Sequence, residues 1–169
     1  MQEIAVLLHN VRSAHNVGSI FRTADAAGVS RVHLSGYTPN PTDRFGRVQK
    51  DISKTALGAE ISIPWEHHAS PNRLLSTLKK EGWDVVGVEQ DARARDYRSF
   101  KLEKPTLFIF GNEVLGISKA LRERCDASIE IPMRGTMVRQ ACHPRHSGRG
   151  KESLNVSVAA GIILFSISQ

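Results

Sequence analysis

Cysteine is scarce. Only Cys125 and Cys142 occur in 169 residues, too few for a disulfide framework, so a reducing cytoplasm is the expected compartment. Long apolar runs are missing as well. The longest, from Val156 to Ile167, is broken by Ser157, Gly161 and Ser166 and falls short of the roughly 18–20 residues that cross a bilayer. No membrane association is therefore expected. The apolar stretch Ile4–Leu8 is short and has no basic segment before it, which argues against a secretory signal. There is neither a G-x-G-x-x-G fingerprint nor a Walker loop, so a dinucleotide-binding Rossmann site and a P-loop nucleotidase are both disfavoured. Repeats, low-complexity tracts and linkers are also lacking, and residues 1–169 read as one domain.

What is present is positive charge. Twenty-three Lys and Arg face 17 Asp and Glu, a net charge of +6, which permits a polyanionic partner. The cations are grouped. Arg44, Arg47, Lys50 and Lys54 fall in one segment, and Arg134, Arg139, Arg145, Arg149 and Lys151 in another. Both segments read as loops, where a phosphate backbone is commonly held.

Strands and helices alternate along the chain. Ile4–Leu8 is wholly apolar, as in a strand covered on both faces. Val17, Ile20, Phe21, Ala24 and Ala27 then recur at helical spacing after cap residues at 13–16, and Gly28 supplies the stop. Further strands are predicted at Arg31–Ser35, Ile61–Trp65, Trp83–Val88, Thr106–Phe110 and Ser128–Ile131. Helices are predicted from Ser70-Pro71 to Gly82, over Ser118–Arg124, and over Ser153–Ser168. Residues 36–60 read as a turn-rich basic connection. The pattern is that of an α/β fold with a mainly parallel sheet flanked by helices. The last helix is apolar over most of its circumference, so it must be buried in its own chain or against a partner.

Three segments gather polar residues and glycines where strands end, which is where open α/β sheets bind ligands. The first is His9-Asn10-Val11-Arg12-Ser13-Ala14-His15-Asn16-Val17-Gly18-Ser19-Ile20-Phe21-Arg22. The second is Phe110-Gly111-Asn112-Glu113-Val114-Leu115-Gly116-Ile117-Ser118. The third runs from Ile131-Pro132-Met133 across an interruption to Ser153-Leu154-Asn155-Val156-Ser157-Val158-Ala159. Taken singly, each has a bland reading as caps and turns. Together, in order and in detail, they resemble the three motifs of the SpoU/TrmH family of SPOUT RNA methyltransferases.

That resemblance implies a C-terminal trefoil knot, S-adenosyl-L-methionine as cofactor, and a homodimer whose active site is completed across the interface. It implies methyl transfer to a ribose 2′-hydroxyl of RNA, with tRNA favoured over rRNA because no appended RNA-binding domain is evident. Residue by residue, the family's motif positions fall on Asn16, Arg22, Glu113, Ser153 and Asn155. The cofactor is expected against backbone near Val88, Gly111, Ile131, Met133 and Leu154, and the RNA backbone against Arg12, Arg44, Arg47, Lys50 and Lys54. A guanidinium almost never gives up its proton, so Arg22 is better suited to clamping phosphate or stabilising an alkoxide than to acting as a base. Asn16 and Ser153 would position the ribose while Glu113 and Asn155 brace the loops. His9 and His15, beside the first motif, are read as structural.

The sequence departs from the family at Thr136–Arg149, an insertion between Ile131-Pro132-Met133 and Ser153 that reads as an exposed loop. Cys142, His143 and His146 within it do not match a common zinc spacing, and no metal is expected. The rival reading is a catalytically silent RNA-binding protein disabled by the insertion; intact Asn16, Arg22, Glu113, Ser153 and Asn155 argue against it.

Overall fold

The computed structural model describes residues 2–133 and 154–167. The expected insertion, the Cys142, His143 and His146 group, and Ser153 lie outside the described residues. So does the stretch whose path decides whether the last helix is threaded.

Among the described residues, seven strands form one sheet: β1 (Ile4–His9), β2 (Arg31–Ser35), β3 (Trp65–His68), β4 (Asp84–Val88), β5 (Arg95–Asp96), β6 (Thr106–Phe110) and β7 (Ala127–Glu130). Their order is β3-β2-β1-β6-β4-β7-β5, and every strand pair is parallel. Helices α1 (Ala14–Ala26), α2 (Lys50–Ala56), α3 (Ala59–Ser62), α4 (Pro71–Lys80), α5 (Lys119–Arg122) and α6 (Val156–Ile167) cover it.

Period-two alternation along the strands feeds two apolar layers. Val6, Leu8, Val32, Leu34, Phe108 and Phe110 point to the face that α1, α2, α3 and α6 cover. Ala5, Leu7, Val85, Leu107 and Ile109 point to the other face, against Leu74, Leu75 and Leu78 of α4. Burial on both faces explains why Ile4–Leu8 of β1 and Leu107–Phe110 of β6 are continuous apolar runs.

Helix α1 starts where its caps predict. The Ser13 hydroxyl accepts from Asn16 N–H at 3.2 Å, and Gly28 turns the chain at φ +73°. Gly18 sits at the crossing with α2. A Cβ there would meet Ile52 O and Thr55 Oγ1, with Ala56 N at 3.1 Å, so the first motif's glycine is fixed by helix packing.

Two readings of the sequence are corrected. The segment Ile61–Trp65 is not a strand; α3 ends at Ser62 and β3 begins at Trp65. Short apolar runs do not distinguish a buried helix turn from a strand, and Gly58, at φ +98°, starts a new helical turn. Residues 36–60 are likewise not all loop. Lys50 and Lys54 stand on α2, whose seven residues were too few to display a clear period.

Candidate functional site

Strands β1 and β6 are neighbours, yet the chain leaves β1 toward β2 and leaves β6 toward β7 on the opposite side. Adjacent connections that diverge open a crevice at the carboxyl ends of the strands. Beside this switch point, over the carboxyl ends of β4, β6 and β7, lies an open cleft whose lining includes Val88, Gly111, Ile131, Met133 and Leu154. All five positions expected at a cofactor thus face one cleft. Glu89, Glu113 and Glu130 also line it. A largely apolar wall carrying three carboxylates and no cation among the described residues suits a ligand that is part apolar and positively charged.

The loop after β6 is built around Asn112, only 7% exposed. Its side-chain oxygen accepts from Val114 N–H at 2.9 Å and Leu115 N–H at 2.8 Å. Its amide donates to Asn10 O at 3.0 Å and to the Tyr37 hydroxyl at 2.9 Å. Backbone bonds between Asn112 and Gly116 close the turn. Gly111 lies beneath this folded-back chain, and a Cβ on it would fall within 2.5 Å of Ile117 N. Gly116 has φ +66°, and a Cβ there would meet the Glu89 carboxylate, which accepts from Ile117 N–H at 2.7 Å. Both glycines are therefore dictated by geometry.

Glu113 ties this loop to α1. Its carboxylate accepts from Arg12 N–H at 3.0 Å, Ser13 N–H at 3.1 Å and the Asn16 amide at 3.1 Å. Burial pushes the carboxyl up. The donors from Arg12, Ser13, its own backbone and Asn16 outweigh burial and leave it below the ordinary carboxylate range. The negative charge also faces the positive end of α1. Asn16 Oδ1 in turn accepts from the Asn155 amide at 3.2 Å. Asn155 starts α6, its Oδ1 accepting from Ser157 N–H at 2.8 Å. Glu113, Asn16 and Asn155 thus form one hydrogen-bonded row joining the three motifs.

Arg22 stands apart. It lies six residues beyond Asn16 on α1, about 9 Å along the axis, is exposed, and is not among the residues lining the cleft. Arg12 is exposed as well. Arg44 and Arg47 stack on Phe45 at 4.7 and 5.1 Å from its ring centroid.

Sequence reasoning passed over Asn10, Asn112 and Glu89. A signal existed for Asn10, which adopts φ 59°, a conformation asparagine tolerates better than most residues. His9 accepts from the Asn10 amide through Nε2 at 3.1 Å, so Nδ1 carries the proton shared with Ser35 Oγ at 2.8 Å. Burial holds its pKa below the usual histidine value, and the ring is a neutral brace. Among the described residues, one cluster has the right atoms for a metal: His33, Glu66 and His68. It sits on β2 and β3, away from the cleft. Its imidazoles bond to each other at 2.8 Å, and the charge of Arg31 bears on both rings, which disfavours a cation.

Residues 3–139 match the model of the SpoU rRNA Methylase family. The chain is 34% identical over 163 residues to a tRNA (guanosine(18)-2'-O)-methyltransferase of Thermus thermophilus, covering 96% of this chain and 73% of that one. It is 34% identical over 162 residues to a 23S rRNA (guanosine-2'-O-)-methyltransferase of Vibrio parahaemolyticus, spanning 57% of that protein's length. In structure it resembles the SpoU methyltransferase AviRb from Streptomyces viridochromogenes, crystallised with AdoMet. The TM-score is 0.79 at 27% identity, over 99% of this chain and 60% of AviRb.

Proposed function

The chain belongs to the SpoU rRNA methylase family, and from that premise we propose that it transfers a methyl group from S-adenosyl-L-methionine to a ribose 2′-hydroxyl of RNA. One observation carries the reading. A cleft suited to a positively charged, part-apolar ligand adjoins a hydrogen-bonded row built from the family's own motif residues, Asn16, Glu113 and Asn155.

Val88, Gly111, Ile131, Met133 and Leu154 would hold the cofactor, with Glu89, Glu113 and Glu130 supplying a negative wall. When bound, S-adenosyl-L-methionine supplies an electrophilic methyl on a sulfonium. Asn16 and Ser153 orient the ribose, and Glu113 and Asn155 keep α1, the β6 loop and α6 in register. An alcohol is a weak nucleophile, so negative charge developing on its oxygen must be stabilised as its proton leaves. Arg22 provides that fixed cation, or clamps the adjoining phosphate.

Arg22 serves the cleft of a second protomer. Its exposure and its absence from its own cleft support that reading, as do Val158 and Phe165 on the outer side of α6, each nearly half exposed. Close packing of α6 on α1, and the place of Val156 and Ala159 in the cleft wall, are consistent with the family's threaded tail. The substrate is tRNA in preference to rRNA, the tRNA-methylating relative being matched over the larger share of its length.

The test is incubation with total RNA and methyl-labelled cofactor, followed by nucleotide-by-nucleotide mapping of 2′-O-methylation. Label in tRNA at one position is expected. Label in no RNA, together with no cofactor binding by calorimetry, overturns the proposal and favours a catalytically silent RNA-binding protein.

A further inference from the structure

Residues 41–49, between β2 and α2, form a small arch that holds one aromatic ring away from the body. Thr42 and Val48 bridge antiparallel, and Gln49 N–H donates to Pro41 O at 2.8 Å. Asp43 organises the tip. Its Oδ1 accepts from Phe45 N–H at 2.8 Å and Arg47 N–H at 3.0 Å, and its Oδ2 from Arg47 Nε at 2.7 Å. Gly46 closes the turn at φ +77°. The result leaves Phe45 67% exposed. A chain that spends this many local bonds on a tip whose ring stays in water gains nothing by apolar burial.

The two arginines on the ring differ. Arg47 is pinned by Asp43, whereas Arg44 touches the ring and makes no ion pair among the described residues. The arch follows β2, so it stands at the carboxyl end of the sheet, the same end as the cleft. Tyr37, at the root of this connection, takes the Asn112 amide through its hydroxyl, which ties the connection to the cleft loop. Lys50 and Lys54 follow on α2.

We propose that Phe45 is a stacking platform for an unpaired base of the RNA, with Arg44 leaving the ring to take the neighbouring phosphate. The inference rests on the RNA-methylating function proposed above. An exposed ring flanked by guanidiniums matches single-stranded RNA, which offers both a flat base and a phosphate, better than a duplex, whose base faces are already stacked. Arg47 stays with Asp43 and keeps the arch rigid, so ordering the platform costs little when RNA arrives.

The experiment measures binding of the full chain to a single-stranded oligoribonucleotide and to an abasic oligonucleotide of equal length, at fixed salt. Phe45→Ala weakens binding of the base-bearing strand roughly five- to a hundredfold and leaves the abasic strand unchanged. Phe45→Leu, which keeps apolar area but no flat face, is nearly as weak. Phe45→Trp binds like the native chain, and RNA quenches the added indole emission measured against that of the native chain. An unchanged melting temperature and unchanged S-adenosyl-L-methionine affinity in Phe45→Ala rule out misfolding. The proposal is overturned if Phe45→Ala binds the base-bearing strand within twofold of the native chain, or if both strands weaken equally. Native chain that binds neither strand also overturns it, while the RNA-methylating reading is decided separately by the label mapping described above.

Discussion

Two connections leave the carboxyl end of the same sheet and are built on opposite plans. The one after β6, residues 111–118, folds back on itself, and the side chains of Asn112, Glu113 and Glu89 bond to main-chain groups in it or beside it. The one after β2 ends in an arch whose polar groups satisfy each other locally while Arg44 and Phe45 face outward. The first spends its polar residues on shape; the second spends them on presentation. Changes in the β6 loop should damage the cleft and the fold together, whereas changes among the presented residues, Arg22 included, should affect RNA and leave the cleft intact.

The largest expected effect tests the first half. Gly111→Ala places a methyl against the Gly116 and Ile117 backbone, which cannot move without dismantling the Asn112 turn. Overpacking of this kind costs about 1–3 kcal/mol or more. Calorimetry should find no S-adenosyl-L-methionine binding, and urea unfolding should shift to lower concentration. Binding retained within threefold would show the loop to be soft and break the comparison.

Next comes Arg22→Ala. If the arginine acts only on developing charge or phosphate, methyl transfer should fall by roughly a hundred- to a thousandfold with cofactor affinity held within twofold. Equal losses in both would move Arg22 from the presented group to the shaping one.

Glu113 gives the comparison a pH dependence. Its carboxyl lies below the ordinary range when folded, so its stabilisation is present above the unfolded-state value and lost as pH falls through the folded one. Glu113→Gln should cost about 1 kcal/mol at pH 7, allowing for solvent screening of a half-exposed carboxylate. The gap between variant and native stability should narrow as pH drops below about 4. A gap that stays constant would mean the charge contributes nothing beyond the shape of the side chain.

Much of the shaping plan was legible in the sequence because shape leaves local marks. Gly28 after an apolar helical stripe and Ser13 before it marked both ends of α1, and the wholly apolar run Ile4–Leu8 announced a strand covered on both faces. The cleft positions Val88, Gly111, Ile131, Met133 and Leu154 came from resemblance, since no local pattern says which strand ends converge. Asn112 was missed for a related reason. Its partners include Asn10 and Tyr37, remote in sequence, and only the strand order brings them together. Helices α2 and α3 were missed because seven and four residues give too little periodicity to outweigh a turn-rich composition. Phe45 had no signal at all: an aromatic between two arginines looks the same whether its ring is buried or held out.

The smallest expected effect is also the most selective. Arg44→Ala removes one charge with no ion-pair partner among the described residues, so folding should be unaffected, within about 0.5 kcal/mol. If Arg44 takes a phosphate, its loss should weaken RNA binding by a similar small factor whatever the sequence, and lower the slope of log affinity against log salt by about one. Arg47→Ala should do more, because it also releases Asp43 and loosens the arch that holds Phe45. Measured across a salt series, the two variants separate a residue that presents charge from one that supports the presentation. Identical slopes and identical losses would mean the arch has no such internal division, and the contrast between the two connections would reduce to a difference in exposure.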